Sequence, residues 1–264
     1  MGVEAATVGQ GAAPSRERSP GWEASGPVDG PVIVFVHGAV ASRRLWSPQI
    51  ARLSDRYRCV TFDLPGHGSL ADHAFQLDEA VDRVRSVIDE AAGGRATVVG
   101  LSLGGYTAIA LAARHPERVR GLVVAGASLD ATGISRLGFA AYGWLLSLIP
   151  ERLARWLLVR VVFRRRDPIE AAGIAEDYQL RRGGAAVRSI IGVPFRRLLA
   201  AYGGPILVIN GDLDVAMVAG EARFVRGVPG VQRIRLRRAT HVSNVDRPDE
   251  FAAAIAAFEA GLAP

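Results

Sequence analysis

The chain has 264 residues, of which 49% are hydrophobic and 22% are charged. This length and composition suit one large globular domain with a substantial core, and they exclude an intrinsically disordered protein. All 32 basic residues are arginine, and no nucleic-acid-binding motif accompanies the formal net charge of +6, so we expect no nucleic-acid partner.

The N-terminal segment 1–20 is rich in Gly, Ala, Pro, Ser and Arg and lacks the apolar stretch of a secretory signal. This composition predicts a flexible tail. No apolar run approaches the roughly 20 residues of a membrane span, so the cytoplasm is the expected location. The single cysteine, Cys59, lies in an apolar run and is expected to be a small buried hydrophobic residue.

Short β-branched runs alternate with amphipathic stretches along most of the chain, which is typical of a parallel sheet covered by helices. In chain order, we predict a strand at 31–36, a helix at 45–53, a strand at 57–62, a helix at 77–92, a strand at 96–99, a helix at 103–114 and a strand at 122–125. Further along, we predict a strand at 206–209, a helix at 219–225, a strand at 232–236 and a helix at 248–258. The predicted fold class is α/β, with helices on both faces of a mostly parallel sheet.

The segment 130–201 lacks this alternation and carries aromatic residues among arginine pairs. A structureless loop of that length is improbable in a compact domain, so we predict an inserted helical lid. The core would then consist of 21–129 and 202–264. The tryptophans and aliphatic residues of the lid favour an apolar substrate, whereas its arginines indicate either an anionic substrate or a solvated helix face.

The strongest signal for chemistry is Gly100-Leu101-Ser102-Leu103-Gly104. It lies between a predicted strand and a predicted helix, the context that a G-x-S-x-G nucleophile elbow requires. In so tight a turn the serine takes strained backbone angles, and Gly100 and Gly104 remove Cβ atoms that would collide. The serine oxygen would stand exposed at a helix N-terminus, where N–H groups can receive negative charge. We therefore interpret Ser102 as a nucleophile.

Other motifs occur in a fixed order around this elbow. His37-Gly38 follows the first predicted strand, D-L-P-G-H-G occupies 63–68, N-G-D-L-D occupies 210–214, and His241 precedes D-R-P-D-E-F at 246–251. Together with the elbow, these motifs resemble those of the α/β-hydrolase superfamily, in particular its lidded serine hydrolases of the esterase, lactonase and carbon–carbon hydrolase types. The resemblance covers residue 31 to the C-terminus, and the order Ser, Asp, His is the one that this fold uses.

The resemblance implies that His241 is the general base and that an aspartate orients it. The G-x-x-D spacing favours Asp214, with Asp212 and Asp130 as alternatives. The family usually has glycine before this histidine, whereas this chain has Thr240, whose β-branched side chain disfavours a positive φ.

The oxyanion hole would use the backbone N–H of Leu103 and, by resemblance, that of Ala39. His37 and Gly38 are interpreted as structural residues that shape the loop carrying Ala39. No metal or nucleotide motif is present, and the predicted chemistry needs no cofactor. A serine at the elbow argues against dehalogenase-like and epoxide-hydrolase-like chemistry, which requires an aspartate there.

These residues predict a serine hydrolase that cleaves an ester-like bond (ester, thioester, lactone or related acyl) of a small, largely apolar substrate through an acyl-enzyme. An acyltransferase or perhydrolase with the same three residues is one alternative. A non-catalytic ligand receptor on the same fold is another. No feature of the sequence indicates the oligomeric state or the natural substrate.

Overall fold

The computed structural model describes residues 16–19, 21–157, 159–160, 175 and 177–262. Its eight strands are β1 (Arg16–Ser19), β2 (Trp22–Ser25), β3 (Val32–Val36), β4 (Arg58–Phe62), β5 (Ala96–Leu101), β6 (Val119–Ala125), β7 (Ile206–Gly211) and β8 (Gln232–Leu236). They form one sheet in the order β1-β2-β4-β3-β5-β6-β7-β8. β2 pairs antiparallel with both β1 and β4, and all the other pairings are parallel. The predicted mostly parallel sheet is confirmed.

The central strands are largely apolar because helices cover both faces of the sheet. In β3, Val34 and Val36 point into one core, whereas Ile33 and Phe35 point into the other. The alternation of side chains along a strand therefore divides the apolar residues between two layers.

The helices are α1 (Ser47–Leu53), α2 (Leu77–Ala91), α3 (Leu103–Arg114), α4 (Ser135–Leu148), α5 (Glu151–Leu157), α6 (Leu180–Ser189), α7 (Phe195–Ala201), α8 (Val215–Phe224), α9 (Ser243–Asp246) and α10 (Pro248–Ala260). The buried faces of α2 and α3 belong to one core, and those of α10 and of the turn before α1 belong to the other. Short 3₁₀ helices span Arg43–Trp46, Gly68–Leu70 and Pro116–Arg118. None of the described helices is long and apolar enough to cross a lipid bilayer.

The N-terminal region differs from its prediction. Within the segment 1–20 that we expected to be a flexible tail, Arg16–Ser19 forms β1 and pairs with β2, while 1–15 and 20 lie outside the described residues. The side chains of β1 are mostly exposed, so the strand has no apolar alternation that a sequence could show. Backbone pairing and an ion pair between Glu17 and Arg58 hold it instead.

The segment 130–201, for which we predicted a helical lid, contains α4 to α7 in its described part, and residues 158, 161–174 and 176 lie outside the described residues. α4 and α6 pack closely because glycines face each other where they cross. A Cβ on Gly184 would lie 2.3 Å from the carbonyl oxygen of Gly143. This segment stands beside the carboxyl ends of the central strands, where the candidate site lies.

Candidate active site

Ser102 occupies the sharp turn between β5 and α3. Its backbone angles are φ 55° and ψ −119°, a conformation that costs a non-glycine residue free energy and is typical of functional turns. The turn is held because the Ser102 N–H donates a hydrogen bond of 2.8 Å to the carbonyl oxygen of Ala125 in β6. The sheet therefore fixes the direction in which the serine side chain leaves the backbone.

Two glycines allow the backbone to pack this tightly. A Cβ at Gly104 would lie 2.1 Å from the carbonyl oxygen of Val36, and a Cβ at Gly100 would lie 2.3 Å from that of Gly104. Both separations are far below a normal carbon–oxygen contact. The first turn of α3 consequently sits directly against β3, and any side chain at these positions would push the serine out of place.

His241 and Asp214 meet although they lie on different loops. Asp214 follows β7 and immediately precedes α8, whereas His241 lies between β8 and α9. The Nδ1 atom of His241 is 2.7 Å from Oδ2 of Asp214. With Nδ1 engaged by the carboxylate, Nε2 is the nitrogen available to accept a proton from a neighbouring group.

The other two candidate acids have different partners. Asp212 accepts a hydrogen bond from the backbone N–H of Ala239. Asp130 accepts hydrogen bonds from the Thr132 hydroxyl and from the backbone N–H of Arg196. Of the three aspartates, the structure therefore places Asp214 against the histidine.

The loop before His241 is fastened by a contact that sequence reasoning missed. The backbone N–H and the hydroxyl of Thr240 both donate to Oδ2 of Asp246, at 2.6 and 2.7 Å. The positive φ in this loop occurs at Arg238, at 55°, and not at Thr240. The threonine in place of the usual glycine thus serves as an anchor to α9.

His37 orients the backbone of the loop after β3. Its Nε2 accepts a hydrogen bond of 3.0 Å from the backbone N–H of Leu64, so its ring proton must be on Nδ1. Nδ1 lies 2.9 Å from the carbonyl oxygen of Gly38 and donates to it. Burial, reinforced by the neighbouring His67, lowers the pKa of His37 to about 4, so the ring is neutral near pH 7.

This arrangement sets the direction of the Ala39 N–H. The Gly38 carbonyl also accepts a hydrogen bond from the N–H of Ala41, at 3.2 Å. In a trans peptide the next N–H points away from the carbonyl, so the Ala39 N–H points away from His37. The loop passes close to the serine, since a Cβ on Gly38 would lie 3.5 Å from Cβ of Ser102.

A second candidate donor lies at the start of α3. Leu103 is the first residue of that helix, and a backbone N–H in this position has no acceptor within the helix. The helix N-terminus also carries partial positive charge. The Leu103 N–H is therefore suited to bind an oxyanion formed next to Ser102.

The 63–68 motif holds the loop that carries Ala39 through a hydrogen bond. Nε2 of His67 hydrogen-bonds to the carbonyl oxygen of Ala39. The Asp63 carboxylate accepts hydrogen bonds from Arg43 and Ser69, each through a backbone N–H and a side chain. Burial opposes ionisation of Asp63, but these hydrogen bonds and the positive charge of Arg43 outweigh it, so the pKa of Asp63 lies below its ordinary value.

Two cavities meet at Ser102 and His241, and Tyr142 of α4 lines both. The first cavity, of about 400 Å³, is lined further by Leu103, Tyr106, Gly126, Leu129, Gly138, Phe139, Val187, Ile190, Asp214, Ala216 and Met217. The second, of about 310 Å³, is lined further by Gly38, Ala39, Val40, Ala41, Leu45, Leu101, Leu146, Ile149, Ala154, Tyr178, Leu180, Thr240 and Val242. Among the described residues of these walls, Asp214, His241 and the tyrosines are the ionisable groups.

A larger depression of about 590 Å³ lies between the β1–β2 hairpin and α1, away from Ser102. Three of the arginines on its walls are already paired: Arg18 with Glu23, Arg43 with Glu23 and Asp63, and Arg44 with Asp177. The cavities at Ser102 are therefore the better candidates for substrate.

Cys59 and clusters of metal-binding side chains are two other possible sources of reactivity. Cys59 is buried in β4, and burial raises the pKa of its thiol to about 12, so it stays protonated and unreactive near pH 7. Within the described ranges, no group of three His, Cys, Asp or Glu side chains is arranged to hold a metal ion.

Sequence comparison shows the family to which a chain with this fold belongs. Residues 33–254 match the sequence model of the alpha/beta hydrolase family, and the chain belongs to this family. The resemblance inferred from the motifs is confirmed.

Individual relatives narrow this class. The chain is 26% identical to 3-oxoadipate enol-lactonase 1 of Acinetobacter baylyi over 235 residues, which cover 86% of this chain and 88% of the relative. It is 28% identical to a pimeloyl-[acyl-carrier protein] methyl ester esterase of Nitrosomonas europaea over 240 residues, which cover 84% and 93%. The crystal structure of the enol-lactonase from Burkholderia xenovorans LB400 has the same fold, with a TM-score of 0.75 at 24% identity over 90% of this chain and 95% of that one. These relatives support a hydrolase that acts on ester or lactone bonds.

Proposed function

We propose that this protein is a serine hydrolase that cleaves an ester-like bond of a small, largely apolar substrate through an acyl-enzyme intermediate. Ser102, His241 and Asp214 would be its catalytic residues. The observation that carries the proposal is the 2.7 Å contact between His241 and Asp214, at the edge of the two cavities that Ser102 also lines.

In the proposed mechanism, His241 removes the hydroxyl proton of Ser102 as the oxygen attacks the carbonyl carbon of the substrate. Asp214 holds the histidine in the tautomer with its proton on Nδ1 and stabilises the imidazolium that forms. The imidazolium then gives its proton to the leaving oxygen, which departs as an alcohol or enol. Water, deprotonated by the same histidine, attacks the acyl-enzyme and releases the acid and the free serine.

The negative charge of each tetrahedral intermediate would be bound by the N–H groups of Ala39 and Leu103. In other enzymes, one such donor contributes about 3 kcal/mol to the stabilisation of the transition state. His37 and Gly38 act on this step indirectly, because the bond between His37 and the Gly38 carbonyl fixes the direction of the Ala39 N–H.

The substrate class follows from the cavity walls. Both cavities are lined mainly by aliphatic and aromatic side chains, so a substrate with apolar groups on both sides of the scissile bond fits best. Residues of 130–201, including Phe139, Tyr142 and Ile149, supply much of this lining. We therefore propose that 130–201 acts as a lid over a core formed by 21–129 and 202–264.

The test is covalent labelling with a fluorophosphonate, which reacts with activated serines. The wild type should be labelled on Ser102, and Ser102→Ala should not be labelled. Ser86→Ala is the matched control, because Ser86 lies on α2 and hydrogen-bonds to Glu90, so it should label like the wild type.

Turnover of a panel of esters, thioesters and lactones completes this test. Equal labelling of the wild type and Ser102→Ala would refute the nucleophile. Specific labelling without hydrolysis of any panel member would instead favour acyl transfer or a ligand receptor.

A further inference from the structure

The outer face of α4 is apolar although it is exposed. Ile134, Leu137, Trp144, Leu145 and Leu148 are between 56% and 79% exposed, and their spacing places them along one side of the helix. In α5, Leu153 is 48% and Trp156 is 57% exposed. Contiguous apolar surface of this kind usually marks a site of interaction.

The exposed face of α4 is not the side by which the helix packs on the rest of the fold. The inner side of α4 already packs on α6, where Gly143 and Leu146 are buried. Trp144 is further fixed by the Arg188 guanidinium, which lies 4.3 Å from its ring centroid and donates hydrogen bonds to the Gly143 carbonyl and to Ser147. The fold thus holds α4 by one side and presents the other outward.

The charge of the molecule is concentrated in the same segment. Residues 130–201 contain 12 arginines and 6 acidic residues, so they account for the whole net charge of +6, while the rest of the chain has 20 of each. Among the described arginines of this segment, the exposed ones are Arg136, Arg152, Arg160, Arg181, Arg182, Arg196 and Arg197, and Arg182 is paired with Asp72. The apolar face and the positive charge therefore belong to one part of the fold.

We propose that α4 and α5 dock on an anionic phospholipid surface. The docking face consists of Ile134, Leu137, Trp144, Leu145, Leu148 and Trp156. Its aliphatic and indole side chains would enter the boundary between headgroups and acyl chains, and exposed arginines of the same segment, such as Arg136 and Arg152, would pair with lipid phosphates.

A second copy of the chain fits this surface less well. In a two-fold symmetric contact, the same patch faces itself, so the arginines of one segment would oppose those of the other. An anionic lipid surface supplies both an apolar layer and the opposite charge.

Docking would also place the candidate site next to the lipid. Gly138 and Tyr142 of α4 line the cavities at Ser102, so the same helix borders both the docking face and the site. Apolar esters dissolved in the bilayer could then enter without crossing water. Binding itself does not depend on the proposed catalysis.

The four tryptophans provide a direct readout. Trp144 and Trp156 are 59% and 57% exposed, whereas Trp22 and Trp46 are 5% and 0% exposed. Adding vesicles of phosphatidylcholine and phosphatidylglycerol in equal amounts should shift the tryptophan emission to shorter wavelength and carry the protein into the sedimented fraction. Pure phosphatidylcholine should bind at least about tenfold less, and 0.5 M salt should weaken the binding to anionic vesicles.

Variants of the docking face give the decisive comparison. The double variant Leu145→Ser, Leu148→Ser should reduce partitioning into anionic vesicles about tenfold or more, since binding scales with buried apolar area. Val28→Ser is the matched control: Val28 is 66% exposed but lies before β3, and its loss should leave binding unchanged. Circular dichroism should show that both variants are folded.

Three results would overturn the proposal. The first is that the wild type does not bind anionic vesicles. The second is that the double variant binds them as well as the wild type. The third is that the wild type is a dimer in sedimentation equilibrium and the double variant is a monomer. Ser102→Ala should bind vesicles like the wild type, so a failure of docking and a failure of the proposed catalysis are distinguishable.

Discussion

The sheet core and the helical segment 130–201 differ in charge, in exposure and in what they contribute to the site. The core has equal numbers of arginines and acidic residues, whereas the segment holds the entire net charge and exposes a row of large apolar side chains. Ser102, Asp214 and His241 all lie on core loops at the carboxyl ends of strands, while the segment supplies much of the cavity wall. Under the proposed function, the strands would set the geometry of the catalytic residues, and the helices of 130–201 would determine which substrates reach them.

The largest expected effect is the loss of activity when Asp214, the proposed catalytic acid on a core loop, is replaced. Asp214→Asn should lower kcat/KM for an ester substrate by about 10²- to 10⁴-fold, because the amide cannot stabilise the imidazolium and favours the wrong tautomer. Asp212→Asn is the matched control. Its kcat/KM should stay within a few fold of that of the wild type, since the hydrogen bond of the Asp212 carboxylate is to the backbone N–H of Ala239 and not to His241. If Asp212→Asn were the inactive variant, the assignment of the acid would be wrong.

The second effect tests how tightly the core is packed compared with the segment. Gly104→Ala should destabilise the protein by about 3 kcal/mol, because the new Cβ would overlap the Val36 carbonyl oxygen. Gly138→Ala on α4 is the matched control: its Cβ would meet nothing within 4 Å, so the change should stay within about 1 kcal/mol. Chemical denaturation measures both values. Equal free energies of unfolding for the two variants would show that the backbone around position 104 can move to accommodate a Cβ.

Much of the core could be predicted from the sequence because its signals are local. β6 and β7 contain the apolar runs 122–125 and 206–209, and the elbow follows from five consecutive residues. The site assignments beyond the elbow came from spacing and resemblance, and they stay predictions until the labelling and turnover experiments are done.

Hydrogen bonds that fasten one loop to another element left no such signal. Nothing near Thr240 in the sequence indicates that it binds Asp246, and the hydrogen bond from His67 to the Ala39 carbonyl joins two loops 28 residues apart. β1 was missed because its side chains are polar and exposed. The residues of α4 are mostly apolar, as in a helix buried in a core. The sequence therefore indicates a helix there but does not indicate that Trp144 faces outward.

The third effect is a pH dependence that belongs to the core, since all five histidines lie outside 130–201. Burial lowers the pKa of His37 to about 4 from its ordinary 6.5, and burial also lowers the pKa of His67. As the pH falls below 6.5, the unfolded chain therefore binds protons that the folded chain does not, and the folded state loses stability down to about pH 4.

Thermal unfolding between pH 6.5 and pH 5 isolates this effect, because most carboxylates titrate below that window. The melting temperature should fall as the pH is lowered, and His37→Asn should reduce the slope, leaving the part due to His67. Identical slopes for the variant and the wild type would show that His37 is not held neutral by the fold.

The smallest expected effect is a change in substrate selectivity when one of the two cavities is made narrower. Met217→Trp narrows the first cavity from the core helix α8, and Ile149→Trp narrows the second from the end of α4. Each variant should lower kcat/KM about tenfold for long substrates, a typical loss when a few methylenes no longer fit. The two losses should differ in kind: one variant should discriminate against long acyl chains and the other against long alcohol chains.

Two ester series measure this difference, one with a fixed alcohol and a growing acyl chain, and the other with a fixed acyl group and a growing alcohol. The shortest esters of both series should lose least, because they do not reach the new indole. If both variants discriminated against the same series, the two cavities would be one continuous pocket on the same side of the scissile bond. The helical segment would then contribute to a single binding site together with the core, and the division of roles between the two regions would not extend to substrate selection.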